Sequence, residues 1–232
     1  MQVRELILDT ETTGLDPATG DRIVEIGCVE VVNSVLTGRT FHVYLDPERD
    51  VPDEAFRVHG LSREFLRGKP KFADVIDEFL EFAGDARLVI HNAEFDMKFI
   101  NAELARCGVG PIGMDRVVDT LAIARRKHPG ASNSLDALCA RYRIDNSRRT
   151  KHGALLDAEI LAEVYTELMG GRQKVLELAG TIEKIVETVS HIEIAVAPRS
   201  HPLGALLQEP EEAAHSALVE KMGEKALWAR YI

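Results

Sequence analysis

The sequence predicts an α/β fold, with a sheet that is covered by helices. An apolar run at residues 3–14 and two segments rich in β-branched residues, 22–32 and 39–45, predict three consecutive strands. In residues 73–169, segments with apolar residues at helical spacing alternate with two shorter strand-like runs. Strands interleaved with helices in this way are typical of α/β domains.

The individual elements follow from periodicity and from the residues that end each pattern. Asn33, Ser34 and Gly38 separate the second and third strand segments, which predicts a hairpin. Glycines or a proline follow the helical patterns, and Asn133 or Ser134 can cap one of them. The predicted helices span residues 73–83, 95–106, 120–128, 135–142 and 154–169, and the further strands span 87–91 and 116–119.

Gly170 and Gly171 mark the predicted end of a first domain, residues 1–170. Beyond them the composition changes, with prolines at positions 198, 202 and 210 and an amphipathic segment at 211–222. This part holds too little apolar material for a core of its own. We therefore expect residues 171–180 to form a linker and residues 181–232 to form a tail that docks on another protein.

The composition indicates a soluble, globular protein. The 232 residues are 45% hydrophobic and 28% charged, enough for one sizeable domain with an appendage. No apolar run approaches the roughly 18 residues of a membrane span, and the start of the chain lacks the features of a signal peptide, which predicts a cytoplasmic protein. The three cysteines are widely spaced in apolar segments, so we expect them to be reduced and structural.

The net charge of −10 argues against tight binding of nucleic acid, because an acidic surface repels phosphate. Part of that acidity belongs to carboxylates that metal ions would neutralise. An acidic enzyme that acts on a polynucleotide would hold it weakly and would benefit from a partner that holds the substrate.

Asp9 and Glu11 lie two residues apart at the end of the first strand pattern, so a strand points both carboxylates to one face. Their mutual repulsion makes a divalent cation their natural partner, and oxygen ligands suit Mg²⁺ or Mn²⁺. The same spacing occurs at 46–48 and 157–159. The pair at 46–48 contains a proline and is typical of a solvated turn, whereas α/β sheets bind ligands at the edge where Asp9 and Glu11 lie.

Asp96 and Asp157 are two further acids in segments where burial is expected. Asp96 begins a predicted helix, where an acid can simply complement the helix dipole. Asp157 is flanked by apolar residues, and a carboxylate in such surroundings is usually paired or bound to a metal.

His91 and His152 are both candidates for a proton acceptor, because residues 91–96 and 152–157 share the spacing HxxxxD. Five residues of regular helix turn side chains by a net angle of roughly 140°. A histidine and an aspartate that serve one site at this spacing therefore cannot both lie on regular helix. His152 lies in a polar segment before a helix and His91 ends a strand, so the spacing leaves both open.

At five of these positions the sequence resembles the DEDDh exonucleases, a family named after four acids and a histidine. Asp9 and Glu11 in LDTETTG, Asp96 in HNAEFD, and His152 with Asp157 in HGALLD match its three motifs. The segments EIGCVEVVN, FHVYL, VHGL, NSLDALCARY and KALW are similar to the epsilon proofreading subunits of bacterial DNA polymerase III, so the resemblance covers nearly the whole chain.

The resemblance implies a ribonuclease H-like fold, a mixed five-stranded sheet flanked by helices with the site at its edge and a C-terminal docking tail. It implies removal of 3′-terminal nucleotides from DNA with two divalent metal ions. Asp9, Glu11 and Asp157 would hold the first ion, Asp9 and Asp96 would hold the second, and His152 would act as the general base.

The resemblance also assigns contacts with the terminal nucleotide. Besides three of the metal ligands, Asp9, Glu11 and Asp157, these residues are Thr10, Thr12, Glu54, His59 and Asn92. The sequence by itself would place Glu54 and His59 in a surface loop. Similarly, the basic residues at 148, 149 and 151 either hold phosphates or form a solvated loop.

The residues after 170 carry the predicted partner sites. Gln173, Leu176 and Leu178 in QKVLEL fit the hexapeptide by which polymerase-associated proteins bind the sliding clamp, although a plain linker is the alternative. Residues 181–228 resemble the region that anchors epsilon to the polymerase alpha subunit, with Leu227 and Trp228 as candidate buried anchors. A small stabilising subunit is a further candidate partner.

Two other functions compete with the proofreading hypothesis. An RNA-trimming enzyme similar to RNase T or oligoribonuclease would use the same residues, but those enzymes are short, free-standing domains without a docking tail. A catalytically inactive scaffold would not need the four acids and the histidine of the family motifs. All five are present in this chain, which argues against a scaffold.

Overall fold

The computed structural model of the protein describes residues 3–149, 151–170 and 209–223. Five strands form one sheet: β1 Arg4–Thr12, β2 Ile23–Val32, β3 Val35–Tyr44, β4 Arg87–Ile90 and β5 Val117–Asp119. Their order is β3-β2-β1-β4-β5. The first three strands pair antiparallel, and β4 and β5 join the sheet parallel to β1. The expected mixed five-stranded sheet is therefore confirmed.

Helices pack on both faces of this sheet, and the five predicted ones are present within about two residues of their expected ends. They are α3 Phe72–Ala83, α4 Ala93–Arg106, α5 Thr120–Lys127, α6 Leu135–Tyr142 and α7 Ala154–Leu168. Two short helices, α1 Asp53–His59 and α2 Arg63–Leu66, were not predicted. Their four to seven residues are too few to show a helical period of apolar residues.

The prediction that the third strand begins at residue 39 was wrong, because the hairpin turn is tighter than expected. Asn33 and Ser34 both have positive φ angles, 51° and 66°, as the two central residues of a type I′ turn require. β3 therefore starts directly after them, at Val35, and Gly38 lies inside the strand. The pairing of β2 with β3 is interrupted between Val29 and Val31, where the register shifts as in a β-bulge.

Alternate side chains of β1 enter two separate cores. Leu6 and Leu8 pack with the aromatic residues of α3 and α4, whereas Ile7 packs with Ala158 and Leu161 of α7. Because side chains alternate along a strand, Asp9 and Glu11 follow Ile7 towards α7, and Thr10 follows Leu8 towards α4. The predicted common orientation of the two acids is consistent with this packing.

The start of α7 lies directly against β2 at Gly27, the residue that pairs with Asp9 across the two strands. A Cβ atom on Gly27 would lie 2.2 Å from the backbone nitrogen of Leu155 and 2.3 Å from the carbonyl carbon of Ala154. Only glycine leaves room for this approach. The contact brings the first turn of α7, and with it Asp157, to the end of β1.

The chain divides between Leu176 and Glu177 into two units, and the described part of the second unit is a helix, α8 Glu209–Met222. It contains the predicted amphipathic segment, and all but one of its residues are exposed. The predicted linker at 171–180 and the rest of the tail lie outside the described residues. Among the described helices, none combines the length and the apolarity that crossing a bilayer demands.

We predict that Gly27→Ala destabilises the fold and displaces α7. The new methyl group meets backbone atoms that cannot rotate away, and such overpacking costs about 1–3 kcal/mol. Chemical denaturation of the full-length protein measures the loss. Gly110→Ala is the matched control, because a Cβ on Gly110 meets nothing within 4 Å. Equal stability of the two variants would contradict the proposed role of Gly27.

Candidate active site

A cavity of about 640 Å³ opens at the end of β1, where the strand leaves the sheet. Segments from β1, α1, α4 and the loop before α7 form its walls. Most of the residues that the sequence singled out line this cavity: Asp9, Thr10, Glu11, Thr12, Glu54, His59, Asn92, Asp96 and His152. The fold therefore gathers residues that lie up to 143 positions apart in the sequence.

Glu11, His152 and Asp157 form a group of potential metal ligands. One ligand atom from each of the three side chains lies within 4.8 Å of the other two. Glu11 and Asp157 are buried, at 8% and 2% exposure, whereas His152 is exposed. The backbone nitrogen of His152 donates to the carbonyl oxygen of Val58 at 3.2 Å, which ties the loop before α7 to α1. Two carboxylates and an imidazole at this distance can share one divalent ion.

Asp96 is held from the side of β1 opposite to α7. Its Oδ1 accepts hydrogen bonds from the backbone nitrogen of Thr10 at 3.1 Å and from the Thr10 hydroxyl at 2.7 Å. Thr10 therefore orients Asp96, and the hydroxyl proton of Thr10 is engaged in this hydrogen bond. Because Asp96 lies in the first turn of α4, the helix dipole adds to this stabilisation of its charge.

Burial and mutual repulsion dominate the electrostatics of the acids. The pKa of Asp9 is raised well above its ordinary value, first by burial and then by the charges of Asp96, Glu11 and Asp157. Burial, together with Asp157 and Glu25, raises the pKa of Glu11 to about 8. Burial likewise raises the pKa of Asp96 to about 7, although the hydrogen bonds from Thr10 oppose the shift. Burial and mutual repulsion thus disfavour the charged forms of these three acids, and a cation that compensates their charge would lower their pKa values again.

Asp157 differs from the other acids because a cation already pairs with it. Arg149 Nε donates to Oδ1 at 2.5 Å and Nη2 donates to Oδ2 at 2.7 Å, a two-pronged contact. Burial raises the pKa of Asp157, but its contacts with His152, whose Nδ1 lies 3.3 Å from Oδ2, and with Arg149 hold that pKa below its ordinary value. Arg149 Nη1 also lies 2.8 Å from Oδ1 of Asp136 on α6.

The three basic residues of the loop before α7 have different surroundings. The side chain of Arg148 is 70% exposed, and its Nη2 atom lies 4.0 Å from Oε2 of Glu159. This exposure is typical of a solvated loop. The Nζ atom of Lys151 lies 4.8 Å from the centre of the Phe56 ring. The Arg149 side chain is only 7% exposed. The sequence analysis did not predict the ion pair between Arg149 and Asp157. The only signal for this pair was the expected burial of Asp157, eight residues after Arg149.

Of the residues expected to contact substrate, His59 has the most distinctive environment. The residue is 6% exposed, and its Nδ1 atom accepts a hydrogen bond from the backbone nitrogen of Leu61 at 3.0 Å. Burial lowers its pKa, which favours the neutral ring with its proton on Nε2. Nε2 has no hydrogen-bond partner in the described part of the chain. Glu54 and Asn92 are exposed at the cavity rim.

His91, the second candidate for the proton acceptor, also lines the cavity, but its Nδ1 atom is engaged by a neighbouring hydroxyl. Its Nδ1 lies 2.9 Å from the hydroxyl of Thr120, and burial lowers its pKa. The group of potential ligands among the described residues contains His152 and not His91. The geometry thus separates two histidines that the spacing HxxxxD left equivalent.

Glu25 is a buried acid near the site that the sequence analysis did not single out. It lies opposite Glu11 in the pairing of β1 with β2, is 3% exposed, and lies 2.7 Å from Nε2 of His42. Its charge contributes to the raised pKa of Glu11. The alternation along β2, which puts Glu25 on the same face as Gly27, was the available signal.

The residues predicted to bind the sliding clamp, Gln173, Leu176 and Leu178, lie outside the described residues, as do Leu227 and Trp228. The three cysteines carry free thiols, as expected, and Cys28 and Cys139 are buried.

Comparison with known proteins places the chain in a family. The family model described as Exonuclease (RNase_T) matches residues 6–165. The chain is 47% identical to the DNA polymerase III subunit epsilon of Salmonella typhimurium, with 97% of both chains covered. It is 55% identical to the protein of the same name from Rickettsia felis over 80% of this chain and 81% of that one.

A solved structure, exonuclease X in complex with 5′ overhanging duplex DNA, is similar to this chain with a TM-score of 0.56 and 27% identity. The similarity covers 71% of this chain and 90% of that one. The ribonuclease H-like fold expected from the sequence is thereby confirmed. The chain belongs to the exonuclease family and, within it, to the epsilon subunits of bacterial DNA polymerase III.

Proposed function

We propose that this chain is a 3′–5′ exonuclease that removes misincorporated 3′-terminal nucleotides from DNA during replication, as the proofreading subunit of DNA polymerase III. One observation supports this function above all. Glu11, His152 and Asp157 offer ligand atoms within 4.8 Å of one another, beside a cavity lined by Asp9 and Asp96. Membership in the exonuclease family supports the same reaction.

Two divalent metal ions, Mg²⁺ or Mn²⁺, are the cofactors that fit these residues. The donor set consists of carboxylate oxygens, which hard cations prefer. The raised pKa values of Asp9 and Glu11 reflect charge that a cation would compensate. In this proposal Asp9, Glu11 and Asp157 hold the first ion, and Asp9 and Asp96 hold the second. When bound, such ions activate water and stabilise the negative charge that develops on the phosphate and leaving oxygens.

His152 is the proposed general base. An imidazole can accept a proton near neutral pH, and the exposed position of His152 at the cavity mouth lets it reach a water molecule beside the carboxylates. Asp96 would keep its orientation through Thr10 while the terminal phosphate is attacked.

The cavity walls also support binding of the terminal nucleotide. The proposed polar contacts come from backbone and hydroxyl groups of Thr10 and Thr12 and from the side chains of Glu54, His59 and Asn92. The Nε2–H group of His59 lies near the backbone of Thr12 but forms no hydrogen bond of normal geometry among the described residues, so it is available to donate to the nucleotide. Apolar side chains of the cavity can pack against the sugar and the base, namely Leu15, Val58 and Phe95.

The remaining residues would connect the exonuclease to its partners. We propose that residues 1–170 form the exonuclease domain, that residues 171–180 form the linker with Gln173, Leu176 and Leu178 as a sliding-clamp motif, and that residues 181–232 bind the polymerase alpha subunit. A small stabilising subunit is a third proposed partner. Such an assembly acts on chromosomal DNA, so the proposed location is the cytoplasm.

We predict that Asp9→Asn abolishes removal of 3′-terminal nucleotides from single-stranded and 3′-mismatched DNA. Metal ions stabilise the transition state by several kcal/mol, so the expected loss is at least roughly 10³-fold. The measurement is the shortening of 5′-labelled DNA with Mg²⁺, and EDTA should have the same effect as the substitution.

Asp77→Asn is the matched control for that experiment, because Asp77 is an exposed acid on α3, away from the cavity. It should leave the rate unchanged. A preference for RNA over DNA would support the RNA-trimming alternative, and the absence of hydrolysis would support an idle scaffold.

We predict that the protein in EDTA loses stability as the pH rises from 7 to 8.5. The folded state keeps a proton on Glu11, whose pKa is raised to about 8, while the unfolded state does not, so the folded state binds more protons in this range. The expected decrease in the free energy of unfolding is on the order of 1 kcal/mol for this group alone. Urea denaturation at each pH measures it.

Glu11→Gln should make this pH dependence shallower, whereas Glu81→Gln, an exposed residue of α3, should not change it. The window begins at pH 7 because His59 and His91, whose pKa values are lowered by burial, do not change charge above it. Stability that rises between pH 7 and 8.5 would contradict the electrostatic description of the site.

We predict that truncation after Gly170 preserves exonuclease activity but abolishes association with the polymerase alpha subunit. All the proposed catalytic residues precede Gly170, and the proposed docking tail follows it. Co-purification with alpha and hydrolysis of labelled DNA measure the two properties separately. A truncated protein that still co-purifies with alpha would refute the assignment of the tail.

A further inference from the structure

Arg149 occupies the oxygen atoms of Asp157 that the proposed first metal ion would use. Its Nε and Nη2 atoms lie 2.5 Å from Oδ1 and 2.7 Å from Oδ2 of that carboxylate. The pair is almost fully buried, with 7% exposure for the side chain of Arg149 and 3% for that of Asp157. Within the described residues, Arg149 is the only arginine or lysine that forms an ion pair with any of the four proposed metal-binding acids.

The guanidinium group is anchored from a second helix. Nη1 of Arg149 lies 2.8 Å from Oδ1 of Asp136, in the first turn of α6, and the same oxygen accepts a hydrogen bond from Asn146 at 3.0 Å. All three nitrogen atoms of the group are therefore used. A group held this way has a defined position in the site, unlike its exposed neighbour Arg148.

The contact between Arg149 and His152 conflicts with the proposed role of His152 as a base. Nη2 of Arg149 lies 2.7 Å from Nδ1 of His152. A guanidinium group can only donate, so Nδ1 must accept, and the neutral ring then carries its proton on Nε2. Neither ring nitrogen is free to take a proton in this arrangement. His152 can act as a base only after Arg149 has moved away.

We propose that Arg149 is an internal counter-cation that competes with the first divalent ion for Asp157, and that binding of the ion releases both Asp157 and His152. Arg149 is thus a positioning residue that sets the metal affinity of the site. Two cations beside one carboxylate repel each other, and burial strengthens this repulsion. This inference rests on the metal site of the proposed function.

The test compares Mn²⁺ binding by full-length native protein, Arg149→Gln and Arg148→Gln in the absence of DNA, measured by isothermal titration calorimetry. Removing a competing positive charge should make Arg149→Gln bind the first Mn²⁺ roughly tenfold more tightly. Arg148→Gln, which removes the same charge from an exposed position of the same loop, should stay close to the native affinity.

Thermal unfolding gives an independent readout. In EDTA, Arg149→Gln should have a lower Tm than the native protein, because Asp157 is left buried and unpaired. Saturating Mn²⁺ should raise the Tm of this variant by more than it raises that of the native protein. If Arg149→Gln does not fold in EDTA, Arg149→Lys keeps the charge but loses the two-pronged contact, and it should bind Mn²⁺ more tightly than the native protein by a smaller factor.

The outcomes separate this inference from the proposed function. Native protein that binds Mn²⁺, together with a folded Arg149→Gln or Arg149→Lys variant that binds it equally or less tightly, would overturn the role of Arg149 alone. Native protein that binds no Mn²⁺ would contradict the metal site, and with it this inference.

Discussion

Carboxylates at the end of β1 repel one another, and burial strengthens that repulsion because little water is present to screen it. The pKa of Asp9 is raised first by burial and then by the charges of Asp96, Glu11 and Asp157. Such an arrangement disfavours folding unless the charges are compensated. The surrounding structure compensates two of them internally, with donors from Thr10 for Asp96 and with the guanidinium of Arg149 for Asp157.

The backbone brings these acids together through one unusually close contact. Gly27 pairs with Asp9 across β1 and β2, and the first turn of α7 packs against it where no side chain could fit. The absence of a side chain opposite Asp9 thus lets Asp157 approach from α7. The Val29 and Val31 side chains further along β2 pack with Ala158 and Leu161, which continues the same interface into the core. The geometry of the site and the stability of the fold therefore depend on the same strand.

Local patterns predicted the regular elements well because each one buries an apolar face with a clear period, as β1 and α7 do. The sequence missed α1 and α2, whose few residues cannot display a period, and it placed the start of β3 too late because Asn33 and Ser34 form a two-residue turn. The five proposed catalytic residues were identified as candidates through motifs. Their partners Arg149 and Glu25 were not, because their positions depend on how α7 and β2 pack. The alternation along β2 was only a weak local signal for Glu25.

The four acids fall into two classes, according to whether a group of the protein forms hydrogen bonds with the carboxylate. This difference affects how each acid would bind a metal ion. Asp96 and Asp157 accept hydrogen bonds from fixed groups, whereas Asp9 and Glu11 accept no side-chain or capping hydrogen bond within the described chain. The pKa of Asp157 is lowered, whereas burial raises those of Asp9, Glu11 and Asp96, with the hydrogen bonds from Thr10 opposing the shift of Asp96. An external cation consequently gains most from Asp9 and Glu11, whose charges lack compensation. Asp157 must exchange one cation for another, so its contribution depends on how readily Arg149 leaves.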